Sequence, residues 1–232
     1  MAQFRFYGSG LPGVNLQELV GKLIVVEGTD GVGRSTQVAL LRQWLEQRGH
    51  AVFDTGLTRS ALAGKGLKRA KEGNTFAPIT FTLFYATDFA DRLENQIIPA
   101  LRAGFIVLTD RYVGSQVARA VVRGVDESWV RDVFGMALVP SATYYLKVDL
   151  DHLIPRVAFS RGFDYWESGM DMNLGRDMYE SFCRYQQRML DIFDRLAETY
   201  SFNTVDANGT TEEVFERLKR RLLRLLEGSP NR

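Results

Sequence analysis

The 232-residue sequence predicts an α/β fold, a five-stranded parallel sheet flanked by helices. Three observations carry this. Short apolar runs alternate with segments of helical period along the whole chain. Runs such as Leu23-Ile-Val-Val26 and Phe105-Ile-Val-Leu108 are apolar without alternation, as strands covered on both faces are. The first run passes through a glycine-rich turn, EGTDGVGRST at positions 27–36, directly into an amphipathic segment.

The elements follow in order. Residues 1–20 hold Gly8, Gly10, Pro12 and Gly13 and read as an irregular arm with a short helical turn near its end. Residues 23–27 form the first strand. The helix over 36–47 carries Val38, Leu40, Leu41, Trp44 and Leu45 at helical spacing, and Gly49 is its stop. His50, at that helix end, reads as a solvated turn residue rather than a catalyst. The second strand spans 51–54. In the basic stretch 64–71, Lys65, Lys68, Arg69 and Lys71 read as a solvated helix face. Residues 78–103 form a long helix, bent or ended near Pro99. A third strand over 105–108 ends in Thr109-Asp110-Arg111-Tyr112, and helices over 115–122 and 126–136 follow. The fourth strand (143–148) leads to a helix over 150–159. Periodicity is then lost over 160–175, the pattern of a mobile lid. A helix over 176–200, a strand over 202–206 and a helix over 211–226 complete one domain, residues 21–228, with a tail at 229–232. Arg217, Lys219, Arg220, Arg221 and Arg224 alternate with leucines, which makes them the outer face of a packed helix rather than a nucleic-acid patch.

Bulk properties narrow the function classes. A net charge of +1 argues against nucleic-acid and membrane partners. The single cysteine, Cys183, excludes an internal disulfide and fits a cytoplasmic location. There is no 18-residue apolar stretch, and the first residues lack the order of a signal peptide.

The chemistry starts at the glycine-rich turn. Its pattern is that of a phosphate-binding loop, G-x-x-x-x-G-K-[ST], with Gly28 and Gly33 correctly spaced, Ser35 at the hydroxyl position and Arg34 where lysine is usual. Backbone N–H groups of Gly28, Thr29, Asp30, Gly31, Val32, Gly33, Arg34, Ser35 and Thr36 can curl around phosphates, aided by the positive end of the following helix. Asp110 ends an apolar strand, where phosphoryl-transfer sheets place a carboxylate near Mg²⁺; alone it is as readily a strand-end cap. Arg111 beside it suits a phosphate clamp, and Arg59 follows a strand directly, where ligands gather in open α/β sheets.

These motifs occur in the order used by thymidylate kinases, and the chain resembles that family from about residue 23 to 226. EGTDGVGRSTQ is similar to its phosphate loop, Asp110-Arg111-Tyr112-Val113 with Ser115 to its DRYVxS signature, Thr58-Arg59-Ser60 to its ERS-type loop, Arg161-Gly162 to the start of its lid, and Val205-Asp206-Ala207 to its segment near the adenine of ATP. The resemblance implies a three-layer P-loop NTPase fold and transfer of the γ-phosphoryl of ATP to a nucleoside monophosphate, with Mg²⁺ as cofactor and thymidine monophosphate the leading acceptor. By the same resemblance Arg34 takes the lysine's role, and Ser35 and Asp110 serve the metal. Arg161 and Arg156 close over the transferring phosphoryl. Asp30, Arg59, Tyr85, Phe89, Arg111, Ser115 and Arg119 fall on the acceptor side, with Tyr85 stacking on the base and Arg59 and Arg111 clamping the acceptor phosphate. A symmetric homodimer through helices, near residues 81–89, is implied as well.

Departures from the pattern concentrate on the acceptor base. Phe89 stands where the family has a base-contacting arginine, Arg119 and Ala120 replace an aromatic and a glutamine, Thr58 replaces an acid, and the lid sequence, RGFDYWE at 161–167, is thin in basic residues. Two other readings stay open: a kinase for another nucleotide or phosphorylated small molecule, and a nucleotide-binding protein with little catalysis.

Overall fold

The computed structural model describes residues 4–60, 62–72 and 77–227; position 228 and the tail at 229–232 lie outside them. Strands β1 (Lys22–Gly28), β2 (Val52–Gly56), β3 (Ile106–Asp110), β4 (Ala142–Lys147) and β5 (Asn203–Asp206) form one parallel sheet in the order β2-β3-β1-β4-β5. The helices are α1 (Arg34–Gln47), α2 (Gly64–Glu72), α3 (Pro78–Arg92), α4 (Ile98–Arg102), α5 (Val113–Val121), α6 (Glu127–Val133), α7 (Leu150–Ser160), α8 (Met178–Thr199) and α9 (Thr211–Leu226).

The period-2 alternation of strand side chains creates the layers. Leu23 and Val25 of β1, Val107 of β3 and Tyr145 of β4 enter one apolar cluster with α3, α4, α5, α6 and most of α8. Ile24, Val26, Ile106, Leu108, Tyr144 and Leu146 enter the opposite one with α1, α7 and α9. The strands are therefore apolar throughout because both faces are covered. A third, smaller cluster joins Leu67 of α2, Phe81 and Tyr85 of α3 and Trp166 of the 160–175 segment.

Local chemistry sets the helix ends. Gly49 closes α1 with φ +83°, and Thr210 and Glu213 form a capping box on α9. Between α3 and α4 the helix widens into a π turn, Leu93–Ile97, just before Pro99, which lacks an N–H for the regular bond to Asn95. The helix of 126–136 is shorter than its period suggests: α6 stops at Val133, and Asp126 caps it by accepting the Trp129 N–H at 2.9 Å.

Residues 4–20 are irregular apart from a 3-10 turn, Leu16–Glu18, yet they are fastened to the body. Phe4 is buried in the core, Phe6 forms a bridge with Leu138, and the Tyr7 N–H donates to the Ala137 carbonyl at 2.9 Å. Among the described residues no helix is long and apolar enough to cross a membrane.

β1 lies between β3 and β4, so the chain runs to one side through β2 and β3 and to the other through β4 and β5. The crevice at the carboxyl ends of the strands, at this reversal, is where open α/β sheets bind ligands. The registers Val26↔Asp110 and Gly56↔Asp110 put the phosphate loop, the Asp-Arg-Tyr strand end and the loop after β2 at that same edge.

Candidate active site

The loop between β1 and α1 needs its glycines. Gly33 has φ +98°, and a Cβ on Gly31 (φ +85°) would strike Val157 of α7. The first turn of α1 leaves N–H groups without intrahelical acceptors at the crevice. Thr29, wholly buried, leaves its Oγ1 without a hydrogen-bond partner among the described residues.

Asp110 joins the loop to β3. Ser35 Oγ donates to its Oδ2 at 2.5 Å and Arg34 Nε to its Oδ1 at 2.8 Å. Burial would raise the Asp110 pKa, but the guanidiniums of Arg34 and Arg111 and the Ser35 hydroxyl hold it below the usual carboxylate range. Arg34 itself turns inward. Its Nη1 donates to the Gly28 carbonyl at 2.6 Å and to the Thr29 carbonyl, and the residue is buried. The lysine-like reach expected of it is therefore absent in this conformation, because a planar fork satisfies the loop carbonyls and Asp110 together.

A second network adjoins the first. Asp30, buried in the loop, accepts from Arg111 Nη2 and, at 3.0 Å, from Arg119 Nη2. Arg119 Nη1 also reaches the Tyr85 hydroxyl at 3.2 Å. Burial opposes the Asp30 charge, but Arg111, Arg119 and Arg34 keep its carboxyl ionised far into acid. Burial and the neighbouring Arg119 and Arg34 pull Arg111 down to about 10. Arg111 adopts φ +72°, an uncommon conformation for a side chain of this size, which aims it back at the loop. Its buried Nη1 has no partner among the described residues. Within these two networks three guanidiniums face two carboxylates.

Several residues named from the sequence take other partners or surroundings than the resemblance implies. Phe89 is wholly buried, edge-on to Tyr112 and Phe134, with centroids at 5.0 and 5.6 Å; an apolar ring on this face of α3 joins the core rather than a base site. Ser115 is also fully buried. Its Oγ and N–H donate to Glu27, which accepts the Tyr112 N–H as well and so caps α5 from β1. Ser115 is thus held by Glu27 rather than turned to an acceptor. Arg59 is half-exposed and pairs with Asp54 at 2.8 Å, outside the Asp30 network. Arg156 donates to the carbonyls of Ala207, Asn208 and Gly209 at 2.8 to 3.0 Å, away from the loop. Arg161 pairs with Glu167, and Asp206 is exposed and pairs with Arg217. Thr36 is exposed in the first turn of α1, and Val32 packs into the core.

The segment 160–175, read from sequence as a mobile lid, is instead tied down in this structure, because it finds partners on α2, α3 and α8. Trp166 stacks on Phe81 at 5.0 Å, and its indole N–H donates to the Lys71 carbonyl of α2 at 3.0 Å. Arg123, in the turn after α5, donates to the Trp166 carbonyl at 3.1 Å, the Tyr185 hydroxyl at 3.0 Å and Asp171 at 2.8 Å. Sequence reasoning assigned no role to Glu27, Asp88, Arg123, Trp166 or Glu167. For Arg123 a signal existed: it follows Arg119 by four residues, in the turn that ends α5.

The site suits a magnesium–nucleotide. Ser35 and Asp110 offer hard oxygens, and among the described residues no group of three or more His, Cys, Asp or Glu makes a self-sufficient metal cage. Such a pair fits an ion whose other ligands are phosphates and water. Unpartnered donors at Thr29 Oγ1 and Arg111 Nη1 are of the kind phosphate oxygens satisfy.

Comparison with known proteins agrees with this site. The profile of the family described as Thymidylate kinase matches residues 26–218. The "Probable thymidylate kinase 2" of Saccharolobus solfataricus is 39% identical over 196 residues, covering 84% of this chain and 92% of that protein. The "Thymidylate kinase" of Clavibacter sepedonicus is 34% identical, covering 88% and 95%. The "Probable thymidylate kinase" of Thermococcus gammatolerans is 27% identical, covering 84% and 92%. With its phosphate loop, its Asp110 strand end and its parallel sheet, the chain belongs to the thymidylate kinase family and is a nucleoside monophosphate kinase.

Proposed function

We propose that this chain phosphorylates thymidine monophosphate to the diphosphate, with ATP as donor and Mg²⁺ as cofactor. The observation that carries the reading is the juxtaposition of two charge networks: Ser35–Asp110–Arg34 on the donor loop, and Asp30–Arg111–Arg119 beside it. Bound magnesium–ATP supplies the phosphoryl group and offsets its own phosphate charge. The protein's part is placement. Loop amides and the start of α1 hold the donor phosphates, and Ser35 and Asp110 serve the metal. Arg111, with its unpartnered Nη1, takes the acceptor phosphate, and Arg59 joins it by leaving Asp54. Tyr85, its hydroxyl held by Arg119, is buried against Phe81 and Trp166, and its ring stacks on the base once Trp166 withdraws. Arg156 orders the 207–209 backbone on the donor-base side, and Arg161 leaves Glu167 to meet the transferring group. The acceptor phosphate is largely ionised near pH 7, with its second pKa at about 6, and needs no general base. Positioning and positive charge supply the rate.

The enzyme works as a cytoplasmic homodimer in this reading. Ile79 and Leu83, exposed one turn apart on α3, support that contact.

A panel of nucleoside monophosphates assayed with magnesium–ATP tests the acceptor. Thymidine monophosphate should give the highest kcat/KM; a higher value for another acceptor overturns it. The inward Arg34 favours a second reading, a nucleotide-binding protein with little catalysis. Family-like turnover by the parent chain, with no gain from Arg34→Lys, removes that alternative.

A further inference from the structure

The loop after β2 carries Arg59 at the crevice edge. A Cβ built on Gly56 would lie 3.4 Å from both Arg59 Nε and the Asp110 Cβ, so this guanidinium already borders the site. Both anchored neighbours of Arg59 are held by one residue of α3. The Asp88 carboxylate accepts the Thr58 N–H on Oδ2 at 3.1 Å and the Ser60 N–H on Oδ1 at 3.0 Å. Thr58 has φ +63°, a conformation that a β-branched residue adopts only when its surroundings impose it. Arg92, one turn further along α3, donates Nε to Asp88 Oδ2 at 3.0 Å, and both side chains are completely buried. Ser60 Oγ adds a bond to Asp91 at 2.5 Å.

A buried ion pair is a poor source of stability, since desolvating both charges offsets their attraction; its better-attested use is to specify one conformation. Here the conformation specified is the backbone on either side of Arg59, while the Arg59 side chain stays half-exposed on Asp54. We propose that Asp88, oriented by Arg92, is a positioning residue: it clamps the Thr58 and Ser60 amides so that Arg59 needs only a side-chain rotation to reach the acceptor phosphate. This rests on the kinase reading above and on Arg59 as a ligand of that phosphate.

The test is a double-mutant cycle on the whole enzyme. Asp88→Asn keeps the shape but sets an NH₂ against one of the three donors. It should raise KM for thymidine monophosphate about tenfold and leave KM for ATP unchanged. In an Arg59→Ala background it should add little. Additive effects, or equal rises in both KM values, overturn the proposal, and so does an Arg59→Ala variant with unchanged acceptor KM. A wild-type enzyme that does not turn over this acceptor fails the kinase reading first, before any variant is made. Amide hydrogen exchange on the wild type is independent of how Asp88→Asn folds. The Thr58 and Ser60 amides should exchange far more slowly than that of Arg59, and equally fast exchange at all three overturns the clamp.

Discussion

Asp30 and Ser115 show how differently two buried polar residues can serve one crevice. Asp30 neutralises Arg111 and Arg119, and its folded pKa is depressed. A depressed carboxyl pKa contributes stability that is complete above the unfolded value, about 3.9, and is lost as pH falls toward the folded one. Asp30→Asn should therefore cost about 3 kcal/mol at pH 7, because two guanidiniums lose their counter-charge. In denaturant titrations that difference should hold between pH 5 and 8 and shrink below about pH 4. Ser115 instead serves Glu27. Ser115→Ala should cost about 1–2 kcal/mol in the same assay and leave KM for the acceptor unchanged, since the hydroxyl faces a β1 carboxylate. The DRYVxS pattern named Ser115, but its side-chain direction depends on Glu27, 88 residues away.

At the scale of elements, α5 and the turn after it tie two segments to the core. Arg119 and Arg123 are four residues apart. The first points to the loop between β1 and α1, and the second to the 160–175 segment and Tyr185 of α8. Phe81, Trp166 and Tyr185 surround the Arg123 guanidinium at 5.2 to 5.8 Å from their centroids. Arg123→Leu keeps bulk but removes these bonds, so limited proteolysis within 160–175 should accelerate about tenfold, while α1 and the sheet keep their protection. Loss of periodicity in this segment was legible, but its attachment was not. Trp166 meets Lys71 and Arg123 through partners 95 and 43 residues distant.

For the whole molecule, the five strands, the helices between them and the glycine-rich turn were legible because local patterns encode them. Apolar runs of strand length need two covered faces, and Gly31 and Gly33 supply backbone conformations that other residues resist. The proposed homodimer belongs at this scale. Sedimentation should give twice 26.3 kDa, and Leu83→Arg, which puts a charge on the exposed face of α3, should give a 26.3 kDa monomer.

The sequence by itself determined the fold class, the order of elements and a phosphate-handling edge on the sheet, since spacing along the chain fixes each of these. Only the tertiary structure decided which charges meet. Arg34 faces its own loop and Asp110, Phe89 sinks into the core, Ser115 caps with Glu27, and Asp88 reaches back across 30 residues to hold Thr58. The physical reason is that a charged or polar side chain, once buried, must find its partner in space, and nothing in its sequence neighbourhood specifies which partner the packing brings.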